Sequence, residues 1–215
     1  KPLLTDAGNG RILANWDLRY DPDSEGAFLF EEFYKELYRE VFGENNMGME
    51  VVDFLQKETG AFVDFYLNFD RILLMETSSW FNGRKREDLY KKSLEKVLSI
   101  KPVKWGDVQK VMLRHILFGG KLPAFLGFDR GPVTIIGGRA TIHQGQIYRS
   151  ANRETTFAPS FRFVMDFAEE EFFSSIAGGP SDRRFSKWYA SGLEDWTQGK
   201  YKTLKINPER KSKFI

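Results

Sequence analysis

The spacing of hydrophobic residues changes partway along this chain. From Gly26 to Phe42, Leu29, Phe33, Leu37 and Val41 recur every fourth residue, with Phe30 and Phe42 widening the stripe and Glu31, Glu32, Lys35, Glu36 and Arg39 on the other side. That spacing keeps one face apolar and predicts an amphipathic helix. Ser24 or Asp23 can cap its start, and Gly43 suits its end. Met49 to Lys57 reads as a second helix and Ala61 to Met75 as a third. In the third, Phe62, Phe65, Tyr66, Phe69, Leu73 and Leu74 lie on more than one side, which implies burial. Asn82-Gly83 breaks the chain, and residues 85–99 form a further helix that Pro102 ends. Its inner positions are Leu89, Tyr90, Leu94, Val97 and Leu98, and the pairs Glu87/Lys91 and Asp88/Lys92 support its outer face. Asp107 to Phe118 follows the helical rule too, with Val108, Val111, Met112 and His115 on one face and Gly119-Gly120 as the stop.

After a Gly- and Pro-containing loop over residues 121–139, the period falls to two. Ala140 to Tyr148 and Ser160 to Phe167 alternate, most plainly Phe161, Phe163, Met165 and Phe167 against Ser160, Arg162, Val164 and Asp166. Phe172 to Ala177 reads as a strand paired with the preceding one in a hairpin across residues 168–171. Phe185 to Gln198 returns to helical spacing, with Phe185, Trp188, Tyr189, Leu193 and Trp196 near one face, and Tyr201 to Ile206 reads as a last strand. Residues 1–23, with Gly8, Gly10 and Pro22, read as irregular. The fold class is therefore α+β, with helices in the first half and antiparallel strands in the second. Residues 1–120 form the mainly helical part and 121–215 the mainly strand part with a C-terminal helix, as one continuous piece of a larger fold.

Composition narrows the function classes. The 215 residues include 20 Phe, 8 Tyr and 5 Trp, enough to fill a core, and the net charge of +2 comes from 32 basic and 30 acidic residues mixed along the chain. No broad basic field favours nucleic acid, and no apolar run is long enough for a membrane span. The basic runs Arg84-Lys85-Arg86, Arg183-Arg184 and Arg210-Lys211 are short and read as solvated ends. With no Cys, disulfides, thiol catalysis and Cys-based zinc sites are excluded. The first residues, Lys1-Pro2-Leu3-Leu4, lack an initiator Met, and this start suits a processed or truncated fragment.

Few side chains suggest chemistry. His115 sits on an apolar helix face and reads as a packed core residue rather than a general base. His143 has no carboxylate or second His at ligand spacing, so no metal site is expected. Ser160, Arg162 and Asp166 alternate onto one strand face. Arg162 and Asp166 can pair there, either as a structural ion pair or to orient groups near an active centre. Asp182-Arg183-Arg184 reads as a loop salt-bridge cluster, and Trp188, Tyr189 and Trp196 as core.

The stretch Gly178-Gly179-Pro180-Ser181-Asp182-Arg183-Arg184-Phe185-Ser186-Lys187-Trp188-Tyr189, continued by Trp196, Gly199 and Tyr201, resembles the C-terminal signature of the penicillin acylase family. There Gly-Gly-Gln-Ser-Gly leads through a Ser and a His-Tyr pair to a Trp, a Gly and a Tyr. Four further segments match in order. They are Trp16-Asp17 with Asp23-Ser24-Glu25-Gly26-Ala27-Phe28-Leu29-Phe30, Trp105-Gly106 with His115, Gly137-Gly138 with Thr141-Ile142, and Ala158-Pro159-Ser160-Phe161-Arg162-Phe163-Val164-Met165-Asp166. Pro180 stands where the family has Gln, Asp182 where it has Gly, Arg184 where it has Pro and Trp188 where it has His, so polar contacts made by that Gln or His are absent.

The resemblance implies the C-terminal part of an N-terminal-nucleophile amidohydrolase, a four-layer sandwich of two central sheets between helices. The family's nucleophile is a Ser hydroxyl at the first position of the large chain, activated by that residue's own α-amine, with an oxyanion hole beside it. Lys1 offers no hydroxyl or thiol, so this chain alone is expected to be inactive. No catalytic residue, metal or organic cofactor is then expected in it, and Ser160, Arg162, Asp166 and His115 remain as residues supporting the active centre from behind. The expected partners are the rest of the same enzyme and a small acyl amide substrate, with self-association through exposed apolar surface. The alternative is a non-enzymatic, aromatic-rich interaction module.

Overall fold

A computed structural model describes residues 8–57, 62–149 and 154–206; Lys1, Ala61 and the basic pair Arg210-Lys211 lie outside them. Helix α1 (Gly8–Asn15) precedes the long α2 (Glu25–Phe42), then α3 (Met49–Lys57), α4 (Phe62–Leu74) and α5 (Arg86–Leu98). Ser24 caps α2 by accepting from the Ala27 N–H at 3.1 Å, and the Gly43 N–H closes its other end on the Arg39 carbonyl. α2 buries Leu29, Tyr34, Leu37, Tyr38, Val41 and Phe42, the face its spacing predicts.

Two apolar clusters form around α2. One gathers Tyr34, Tyr38, Val41, Phe42, Val52, Phe69, Phe81 and Leu89; the other joins Leu13, Ala27, Leu29, Leu94, Val97 and Trp105. Towards the end of α4, Phe69 is enclosed, whereas Leu74 and the following Met75 face solvent; the side chains of Phe62, Phe65 and Tyr66 lie outside the described residues. On α5 the expected i,i+4 pairs give way to tertiary ones. Lys92 reaches Glu40 of α2 at 2.8 Å, Lys96 reaches Glu36 at 3.1 Å, and Glu87 takes its neighbour Arg86.

α1 replaces the irregular segment expected at the start. Asn9 donates its amide to the carbonyls of Leu98 at 3.1 Å and Ile100 at 2.6 Å, at the C-terminal end of α5. A helix otherwise weakened by two glycines is thus fixed by the helix it caps.

The largest correction lies between Asp107 and Phe118. Helix α6 (Trp105–Val108) ends after one turn, and strand β1 (Lys110–Leu113) follows. Its partners are β2 (Arg130–Thr134), antiparallel, and β4 (Glu154–Phe157), parallel; β3 (Gln146–Arg149) closes a four-stranded sheet of order β2-β1-β4-β3. The Gln109 side chain, fully buried, donates to the Gly145 carbonyl at 2.8 Å and turns the chain out of the helix. The parallel β1–β4 pair departs from the all-antiparallel expectation. Residues 140–145, expected as strand, form turns.

A second sheet, of order β5-β6-β7, is the antiparallel hairpin β5 (Phe161–Met165) and β6 (Glu171–Ile176) extended by β7 (Lys202–Lys205). The strands lie close to where the alternation put them; Phe161, Phe163, Val164 and Met165 are exposed, and Arg162 is the buried side chain of β5. The helix expected over Phe185 to Gln198 is confined to α7 (Leu193–Thr197). Before it run successive turns in which the Ser186 hydroxyl accepts from the Trp188 N–H, competing with helical bonding. Phe185 and Trp188 are consequently exposed rather than core, and only Trp196 of that stripe is enclosed. Trp196 packs with Val111 and Ile135 in a third cluster, joining the two sheets.

Candidate functional site

The segments quoted for the family resemblance meet in two places. At the first, the Trp16 ring lies where a Cβ on Gly26 would stand, 2.4 Å away, so α2 can start beside it only with glycine there. Trp105 donates its indole N–H to the Gly137 carbonyl at 2.8 Å and its backbone N–H to Ser24, while Gly106 donates to the Pro22 carbonyl at 2.7 Å. Gly137, at φ +87°, donates to the Tyr20 carbonyl, and Gly138 packs against the Tyr20 ring. Tyr20 in turn donates to Glu31 at 2.6 Å, and Arg139 holds the other Glu31 oxygen at 3.3 Å. Burial and the Glu31 charge push the Tyr20 phenol far above its ordinary range, so it acts as a neutral donor.

At the second, the signature segment folds back on the end of β6. A Cβ on Gly179 would stand 1.6 Å from the Trp188 carbonyl oxygen, and the Gly192 N–H donates to the Gly178 carbonyl at 2.7 Å. Tyr189 donates its hydroxyl to the Phe128 carbonyl at 2.7 Å, and Arg184 donates to the Leu126 carbonyl. Arg184 therefore anchors the 124–130 loop, in place of the salt-bridge cluster expected with Asp182, which is exposed. Trp196 donates its indole N–H to the Pro159 carbonyl at 2.8 Å and accepts from Arg162 Nη1 through its own carbonyl at 2.9 Å.

Arg162 is the buried charge of this region, 7% exposed, with its guanidinium carbon 5.0 Å from the Trp196 ring centre. Burial lowers its pKa. Across the hairpin its partner in register is Ser175, also buried. Beside it, His143 is held below the ordinary imidazole range by burial and then by the Arg162 charge. The His143 ring meets Tyr201 edge-on at 6.3 Å. Sequence alone gives no hint of this grouping, because it depends on the register that sets Ser175 opposite Arg162.

The other expected residues are dispersed. Asp166 does not pair with Arg162; it is exposed and accepts from the Ala168 N–H at 2.9 Å, closing the turn after β5. Ser160 is exposed at the start of β5, its carbonyl accepting from the Ala177 N–H. His115 lies in a turn rather than on a helix. Its Nδ1 accepts from the N–H groups of Leu117 at 3.1 Å and Phe118 at 3.2 Å, and its ring stacks on Phe118. Asp129 ties this turn by accepting from the His115 and Gly120 N–H groups, bonds that hold its carboxyl below the usual range.

Among the described residues, no group of three or more His, Asp or Glu is placed to hold a metal ion, and no helix is long and apolar enough to cross a membrane. Neither His ring is hydrogen-bonded to a Ser or Thr hydroxyl among the described residues: His115 Nδ1 accepts from backbone N–H groups, and His143 Nδ1 is buried without a partner.

Comparison with known proteins accounts for these motifs. The chain is similar to an acyl-homoserine lactone acylase, QuiP, from Pseudomonas fluorescens (strain Pf0-1). It is 26% identical to that protein over 212 residues, a match covering 93% of this chain and 25% of the relative. The chain thus spans about a quarter of the length of the curated relative it matches. The model of the penicillin amidase family matches residues 2–213, nearly the whole sequence, and the chain belongs to that family.

Proposed function

We propose that this chain is the C-terminal scaffold of a penicillin acylase-like amidohydrolase that cleaves linear amide bonds. The observation that carries the reading is the family match over residues 2–213, whose motifs form the two glycine-dependent junctions rather than a catalytic cluster. In the complete enzyme a hydroxyl would attack the amide carbonyl, the amine would leave with a proton, and water would release the acyl group as a carboxylic acid. The nucleophile and its α-amine lie in polypeptide beyond this sequence. The acylase named above supports an N-acyl amide as substrate class.

In this reading the two sheets belong to the four-layer αββα sandwich. The outer face of β5-β6-β7 supports it. Phe161, Phe163, Met165 and Leu204 are exposed there, and the Phe161 and Phe163 rings stack at 5.7 Å. A face of that character needs a covering layer, which the rest of the acylase supplies. Without it the chain self-associates.

The experiment is an assay with chromogenic acyl anilides. The purified 215-residue chain should release no amine, and the same chain within the full-length acylase should do so. Turnover by the chain alone, or none by the full-length protein against any N-acyl amide tested, defeats the reading.

A further inference from the structure

We infer that the Nε and Nη2 edge of Arg162, between β5 and α7, is a binding site for a carboxylate. Arg162 uses Nη1 on the Trp196 carbonyl, but Nε and Nη2 are both shielded from solvent and have no hydrogen-bond partner among the described residues. These two N–H groups lie on the same edge of the planar guanidinium and point in parallel, the fork that matches the two oxygens of a carboxylate. A buried guanidinium held by one bond is costly unless a counter-charge completes it.

The surroundings select the ligand. Ser175, directly across the hairpin, has a buried hydroxyl without a partner, and His143 has a buried Nδ1 without one. The guanidinium edge and the Ser175 hydroxyl offer donors, so the site asks for an acceptor with negative charge. A metal cation is excluded by the positive charge of Arg162. No described Asp or Glu forms an ion pair with it, although Glu31, Glu36, Glu40 and Asp53 find basic partners elsewhere. The planar fork favours carboxylate over spherical chloride. The inference stands apart from the amidase reading, because it rests on hydrogen bonding alone.

Two sources share this chemistry, an Asp or Glu side chain from the rest of the protein and a free carboxylate such as an acid product. Acetate is the probe. Urea unfolding of the 215-residue chain at pH 7 should show the folding equilibrium constant rising about tenfold when acetate reaches ten times its dissociation constant. Chloride at matched ionic strength should give no such rise. Arg162→Lys should abolish the response and Ser175→Ala, which keeps the guanidinium, should weaken it.

A response that persists in the full-length acylase assigns the site to free carboxylates, whereas one lost there assigns it to a side chain of the remaining polypeptide. No difference between acetate and chloride in the wild-type chain overturns the inference, as does an undiminished response in folded Arg162→Lys. Failure of the amidase reading would appear only in the anilide assay.

Discussion

Adjacent glycines in the signature segment carry unequal constraints. A Cβ on Gly179 would collide with the Trp188 carbonyl, whereas one on Gly178 would meet only the Tyr189 carbonyl at an ordinary 3.8 Å. Gly179→Ala should therefore destabilise the chain by roughly 1–3 kcal/mol, the usual cost of forcing an extra carbon into a packed site. Gly178→Ala should stay near wild type, and urea midpoints of the two variants decide the matter. His143 gives a second test at this scale. Its folded form resists protonation, so the unfolded chain binds the proton more readily and stability is full above about pH 6.5. Stability should fall as pH drops below that value, and His143→Gln should flatten that part of the profile measured by denaturant titration.

At the scale of elements, local pattern was legible where local contacts decide the structure. α2 and α5 follow their apolar stripes, α3 spans the residues expected of it, and the β5–β6 hairpin lies where the alternation placed it. Ser24→Ala tests the best-defined helix start and should cost about 1 kcal/mol in unfolding free energy. The failures have physical causes. Val108, Val111, Met112 and His115 satisfy helical spacing, yet the segment pairs with β2 and β4 on its two sides, and those distant bonds override propensity. β2 contains Gly131 and Pro132 and so reads as loop. As the edge of its sheet, it tolerates a residue that cannot donate. Alternation across Phe161 to Phe167 revealed a strand but not which face is covered. The side chain of β5 that is enclosed is Arg162, which donates to the Trp196 carbonyl, while Phe161, Phe163, Val164 and Met165 are exposed.

Across the whole molecule, the family was legible in ordered motifs, but the Arg162, Ser175 and His143 grouping was not, because segments far apart in sequence create it. The same separation explains why Asp166 fails as a partner: two strand positions on one face of β5 lead to the turn, away from Trp196. α2 behaves differently from either sheet. Its residues belong to both helical clusters, with Leu29 in one and Leu37 and Val41 in the other, so neither cluster can open without breaking contacts to it. Amide protons at its centre should consequently be the last to exchange with deuterium, at the rate of global unfolding, while those of the edge strand β7, whose four side chains are all exposed, exchange early. Mass-spectrometric exchange that found the middle of α2 labelled as fast as β7 would mean that the helical half loosens in pieces.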